Sequence, residues 1–211
     1  VIYLCRFLRI LKKPIFGISH HSFNYKISNE KWFWKLRWRL YSFIAIRGFD
    51  YMAFFSNRII KKTLELNKLP LKSRNVIEWG ADLDFYNSYV PDVRKKNDEE
   101  PYFMSIGSSN RDYKLLIEAF RETTQKLKIF QKFNSLTKDF DIPSNVFFDE
   151  KSVSSGSFKK HQEIRKVYKE SYAVLIPLEK QYDNLTGITV LVEAIACGKA
   201  VVITDNVLMP F

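Results

Sequence analysis

At 211 residues the chain has room for one large domain or two small ones. Its 46% hydrophobic and 16% aromatic content supplies a real core and argues against disorder over most of the length. A formal charge of +11 favours anionic partners such as a membrane surface, nucleic acid or a phosphorylated ligand; Cys5 and Cys197 lie far apart, match no metal spacing, and point to a reduced setting rather than a disulfide framework.

The opening stretch "VIYLCRFLRILKK" spaces its apolar residues like a helix, and basic residues are mixed among them, so it does not read as a signal peptide. Pro14 then precedes "IFGIS", a short buried strand, and "HHSFNYKISNE" reads as a polar loop. "KWFWKLRWRLYSFIAI" predicts a helix with Lys31, Lys35 and Arg39 repeating along one stripe. Its tryptophans and basic residues suit an anionic membrane surface, docked through residues 31–43; a solvated stripe on a core-facing helix is the other reading. "MAFFSN" reads as a strand, "RIIKKTLELNK" as a helix, and "NVIEWGADLDFY" as a strand running into a turn at Gly80. The run "YSFIAIRGFDYMAFF" is broken by Arg47 and Asp50, so no segment is expected to span a bilayer.

"VPDVRKKNDEEP" has no apolar face and is bracketed by prolines. It divides the chain into a domain over 1–90, a linker over 91–101 and a second domain over 102–211. The second half restarts the alternation: strand "YFMSIG", helix "RDYKLLIEAFRETTQKLK", strand "NVFF", helix "FKKHQEIRKVYKES", strand "YAVLIP", helix "TVLVEAIACG" ended by Gly198, and strand "AVVIT". Short apolar strands alternating with helices predict an α/β fold, with a doubly wound parallel sheet in each half.

In such sheets ligands sit beyond the carboxyl ends of the strands, where loops feed helix N-termini. One such loop is "SIGSSNRDY": Gly107 ends a strand, Ser108 is a small polar residue after it, and Arg111 opens the next helix, a setting for a phosphate or an ordinary strand-to-helix turn. The other is "NLTGIT", where Gly187 lets backbone amides approach a ligand. Glu193 follows in the second turn of a helix with apolar neighbours Leu191, Val192, Ala194, Ile195 and Ala196. A carboxyl there needs a partner unless it faces solvent, and paired hydroxyls such as those of a ribose would serve.

Taken together, "FMSIGSSNRDYKLLIEAF", "YAVLIPL" and "GITVLVEAIACGKAVVIT" resemble the C-terminal domain of GT-B-fold glycosyltransferases, and more closely glycosyltransferase family 4 and its group 1 relatives. "KKPIFGISHH", "AFFSN" and "IEWGADLDFY" resemble the end of that family's N-terminal domain, so the likeness covers most of the chain. It implies two Rossmann-like doubly wound domains, both incomplete, in an internal fragment of a longer enzyme. It also implies retaining, metal-independent transfer of a sugar from a UDP- or GDP-linked donor to a glycan or lipid-linked acceptor, with no cofactor. By position, Glu193 would hold the ribose hydroxyls, Gly187, Ile188 and Thr189 would face the diphosphate and sugar, Gly107 and Ser108 would line the donor loop, and Arg111 would take the place of a phosphate-binding lysine. His20 would stand near the transferred sugar as the catalytic residue, with His21 the neighbouring alternative in register. Leu185, beside Asp183 and Asn184, departs from the pattern, which has a second glutamate there; Ser108 stands where an arginine is common. The setting this implies is cytoplasmic, peripheral at the inner membrane face. A nucleotide-sugar epimerase and a non-catalytic nucleotide- or membrane-binding partner are the competing readings. Basic residues spread through both halves, with aromatics in core-like positions, argue against nucleic acid.

Overall fold

The computed structural model of the chain describes residues 2–23, 31–66, 75–88, 101–131, 141–149, 158–179 and 185–205. The charged segment read as a linker lies outside them apart from Pro101, as do Asp183 and Asn184. The chain is an α/β protein with two parallel sheets and, among the described residues, seven helices, compatible with a Rossmann-like α/β fold. It forms two compact units: residues 1–79 belong to the first, together with Leu185, and 80–180 and 186–205 to the second. No helix among the described residues is long and apolar enough to cross a membrane.

The first unit contains α1 (Ile2–Phe7), β1 (Phe16–Ser19), α2 (Trp32–Gly48), β2 (Tyr51–Phe54), α3 (Asn57–Leu66) and β3 (Asn75–Val76). Its sheet has the order β1-β2-β3, all parallel. The first helix is shorter than its apolar spacing predicts. Arg9 takes a left-handed φ of 59°, the amides of Ile10 and Leu11 turn back onto the Cys5 carbonyl, and Arg6 donates to the carbonyls of Leu11 and Lys12. Arg6 also grips Asp50, at 2.6 Å and 2.9 Å, while the Ile15 amide donates to the same carboxylate at 3.0 Å. The charge that breaks the long apolar run thus ties α1 to the entrance of β1. The core beneath is Ala45, Met52, Phe54 and Ile59, all essentially buried.

The second unit contains α4 (Leu83–Asn87), β4 (Tyr102–Ile106), α5 (Tyr113–Arg121), β5 (Lys126–Phe130), β6 (Val146–Phe148), α6 (Phe158–Glu170), β7 (Ala173–Ile176), α7 (Ile188–Ala196) and β8 (Ala200–Ile203). Its sheet has the parallel order β6-β5-β4-β7-β8. Two elements differ from the sequence expectation. The helix expected to run through "KLK" stops at Arg121, and "KLKIF" is strand β5. Leu127 and Ile129 alternate into the core while Lys126 and Lys128 stay half-buried. Asn145 fixes that break, its Nδ2 lying within 3.0 Å of the carbonyls of Phe120, Thr123 and Gln125. The turn after Gly80 continues into α4, capped by Asp82, whose side chain accepts from the Phe85 amide at 2.9 Å. Leu116, Ile117, Phe120, Leu127, Ile129, Val146 and Leu175 form the core on one side of the sheet, and the interior strand β7 is buried along its whole length, as a strand inside a parallel sheet must be.

Two glycines give contrasting expectations. A methyl group at Gly48 would press against the Tyr3 carbonyl, whereas one at Gly80 would meet nothing within 4 Å. In urea denaturation Gly48→Ala is expected to lose about 1–3 kcal/mol by overpacking α1 on α2. Gly80→Ala is expected to be neutral or to gain up to about 1 kcal/mol by restricting the unfolded chain.

Candidate functional site

The sheet of the second unit changes direction between β4 and β7: β5 and β6 lie to one side of that line and β8 to the other. Parallel sheets open a crevice at such a point, beyond the carboxyl ends of the two strands. The loop after β4 and the loop before α7 meet there. Asn110, in the left-handed region at φ 53°, donates from Nδ2 to Thr186 Oγ1 at 3.0 Å and accepts from the Glu179 amide at 3.0 Å. Arg111 forms an antiparallel bridge with Leu178, and the Asp112 amide donates to Pro177. The structure therefore brings Gly107, Ser108 and Arg111 into one bonded assembly with the loop that carries Gly187 and leads into Ile188 and Thr189.

Both glycines are required by backbone geometry. Gly107 has φ 108° and Gly187 φ 93°, values that a side chain opposes. A Cβ on Gly187 would also lie 3.1 Å from Ile176 Cγ2. Gly187 is the residue before α7 and offers no side-chain cap, so the first amides of that helix keep their donors for another acceptor. Ser108 is exposed and Ile188 is buried beneath the helix start, while Thr189 faces outward.

Arg111 is folded over Gly107. Its Nε and Nη2 each lie 3.3 Å from the Ile106 carbonyl and its Nη1 lies 3.0 Å from the Ser109 carbonyl, which engages three of five N–H donors. Burial lowers its pKa from the ordinary value, opposed by the nearby Tyr113 and Tyr168 hydroxyls. Tyr113 donates to the Gly107 carbonyl at 2.6 Å, and burial pushes its own pKa up to about 12. Glycine, arginine and tyrosine thus lock the end of β4.

Glu193 has the partner its apolar surroundings called for, and that partner is protein. Tyr168, fully buried, donates its hydroxyl to Glu193 Oε2 at 3.0 Å, and Tyr86 of α4 hydrogen-bonds the same side chain. Burial and then Glu193 hold both tyrosine pKa values above the ordinary range. Cys197 completes the group, its pKa pushed up to about 11 mainly by burial. Neither tyrosine was singled out in the sequence, because each sits at an apolar position of a helix and looks like core. Asn110 carries a signal in its residue type: a small polar residue in a strand-to-helix turn is the kind that tolerates the left-handed region.

His20 belongs to the first unit, exposed just beyond the end of β1, its ring centroid 4.8 Å from that of His21. Its pKa is lowered by partial burial and by His21. Among the described residues no group of histidine, cysteine, aspartate and glutamate side chains is placed to hold a metal. No protein-family model matches the chain, and no curated protein matches it.

The tyrosine–glutamate group generates a pH prediction. A folded-state pKa above the unfolded one means that the native state holds the proton more tightly. That stabilisation is complete below the unfolded tyrosine value of about 10 and is lost as pH rises through the folded value. The unfolding free energy should fall above about pH 10, and Tyr168→Phe should make the fall shallower by up to roughly 1.4 kcal/mol per pH unit. At neutral pH the same substitution should cost about 1–3 kcal/mol by removing a buried donor from Glu193.

Proposed function

We propose that the protein is a retaining glycosyltransferase of the GT-B type that takes a sugar from a UDP- or GDP-linked donor and passes it to a glycan or lipid-linked acceptor. The observation that carries this reading is the joined pair of loops at the direction change between β4 and β7. It combines two left-handed glycines, an uncapped helix N-terminus and a half-buried guanidinium. Backbone amides at the start of α7 and the unengaged N–H groups of Arg111 suit a diphosphate, whose negative charge grows as the sugar departs. Glu193 accepts the ribose hydroxyls with the oxygen positions that its tyrosines leave open. His20 supplies a neutral imidazole to the reaction, in keeping with its lowered pKa.

One observation favours a second reading, in which the second unit binds nucleotide without turnover. The Glu193 carboxyl is already held by two tyrosine hydroxyls, and the position of the family's other glutamate is Leu185, which is buried.

Calorimetric titration with UDP and GDP separates these readings. One of the two nucleotides is expected to bind, with Arg111→Ala and Glu193→Ala each weakening it about 10- to 150-fold, the worth of a hydrogen bond to a charged group. If neither nucleotide binds, the donor site is wrong. In turnover assays with candidate donors, His20→Ala is expected to lower the rate about 10²- to 10⁴-fold while nucleotide affinity stays unchanged. Binding without turnover in the wild type would select the second reading.

A further inference from the structure

Helix α2 turns its apolar side outward. At about 100° per residue, Trp32, Phe33, Leu36 and Leu40 fall on one arc of about 100°. Trp32 is 76% exposed, and the other three are each 59% exposed. The buried residues of the helix, Ser42, Ala45, Ile46 and Gly48, lie on the opposite side and in the second half. Arg39 follows the apolar arc on one edge and Arg37 on the other, with Arg37 set 4.8 Å over the Trp34 ring. Helix α1 packs on the later turns of α2 through Tyr3 with Tyr41 and Phe7 with Phe43, and it leaves Ile2, Leu8 and Ile10 more than half exposed. Residues 2–23 and 31–49 contain no acidic residue; Asp50, which follows, is held by Arg6.

We propose that this outer face of α2 docks on an anionic lipid bilayer. The aromatic and leucine side chains enter the boundary between headgroups and acyl chains, and Lys35, Arg37 and Arg39 meet lipid phosphate. An apolar strip rimmed by cations on both edges fits that environment. Charge decides against a second copy of the chain as occupant. A two-fold pairing would set the strip against itself and bring like charges together along both rims.

The test is co-sedimentation of the full chain with vesicles of phosphatidylcholine alone and of phosphatidylcholine with phosphatidylglycerol. Binding is expected only with the anionic lipid. It should fall at least tenfold in a Lys35→Glu/Arg37→Glu/Arg39→Glu variant, since each basic residue near the surface is worth about 1 kcal/mol, and be lost in Trp32→Ser/Leu36→Ser, which keeps the charge. Spin-labelled lipid should quench tryptophan fluorescence in the wild type and less in Trp32→Phe. The changed side chains are exposed apart from the half-buried Lys35, so circular dichroism and thermal melting should stay close to the wild type. Equal sedimentation of the charge-reversed and wild-type proteins, or no quenching assigned to Trp32, would overturn the proposal. So would self-association in the absence of vesicles that Phe33→Ser abolishes, since that outcome gives the face to a protein partner.

Discussion

Strands β4 and β7 pair in parallel, Phe103 opposite Ala173 and Met104 opposite Val174, and the arrangement of the second unit depends on that line. The crossover from β4 leads to one side of the sheet and the crossover from β7 to the other, so the loops leaving the two strand ends cannot fold back over the same neighbour. Ser105, buried in β4, donates its hydroxyl to the Leu175 carbonyl at 2.7 Å and adds a side-chain link to the seam. Beyond the strand ends the link continues through Arg111 and Leu178, then Asn110 and Thr186. The roles proposed for Gly107, Arg111 and Gly187 depend on that continuity, because each lies in a loop whose position the seam fixes.

Much of this was legible where the apolar pattern was unambiguous. "YAVLIP" and "YFMSIG" have the continuous apolar character of strands buried on both faces, and both lie at the centre of the sheet. The helix expected to run through "KLK" is too long for a physical reason: its lysines resemble the polar side of a helix, and the residue that ends α5 is Asn145, more than twenty positions away in the chain. α4 was hidden similarly, since a five-residue helix has too few turns to show a period, although its cap at Asp82 was readable. The need for a partner at Glu193 could be inferred from its neighbours. The identity of the partners could not, because Tyr86 and Tyr168 come from two other helices.

α2 shows the limit of burial as a guide. A core-facing helix and an interfacial helix have the same inventory of tryptophan, leucine and arginine, and sequence spacing leaves their orientation open. Orientation is set by what else packs on the helix. Here the small residues Ser42, Ala45 and Gly48 allow close approach on the inner side, and Gly48 lies against the backbone of Tyr3. The bulky residues of the first turns consequently remain outside, which water disfavours and an interface rewards.

The tyrosines on Glu193 bear directly on what that residue can do. A carboxyl group offers about four acceptor positions over its two oxygens, and hydrogen bonds from Tyr168 and Tyr86 leave some of them for a ligand. An unsupported carboxyl in so apolar a helix would be free to rotate, which would spoil recognition of two hydroxyls. Two buried phenols, whose own protons are held more firmly than in water, fix its orientation instead. On the proposed reading the tyrosines prepare the ligand contact rather than replace it. Loss of a tyrosine would then weaken nucleotide binding through Glu193 as well as destabilise the fold, whereas a purely structural glutamate would show the second effect without the first.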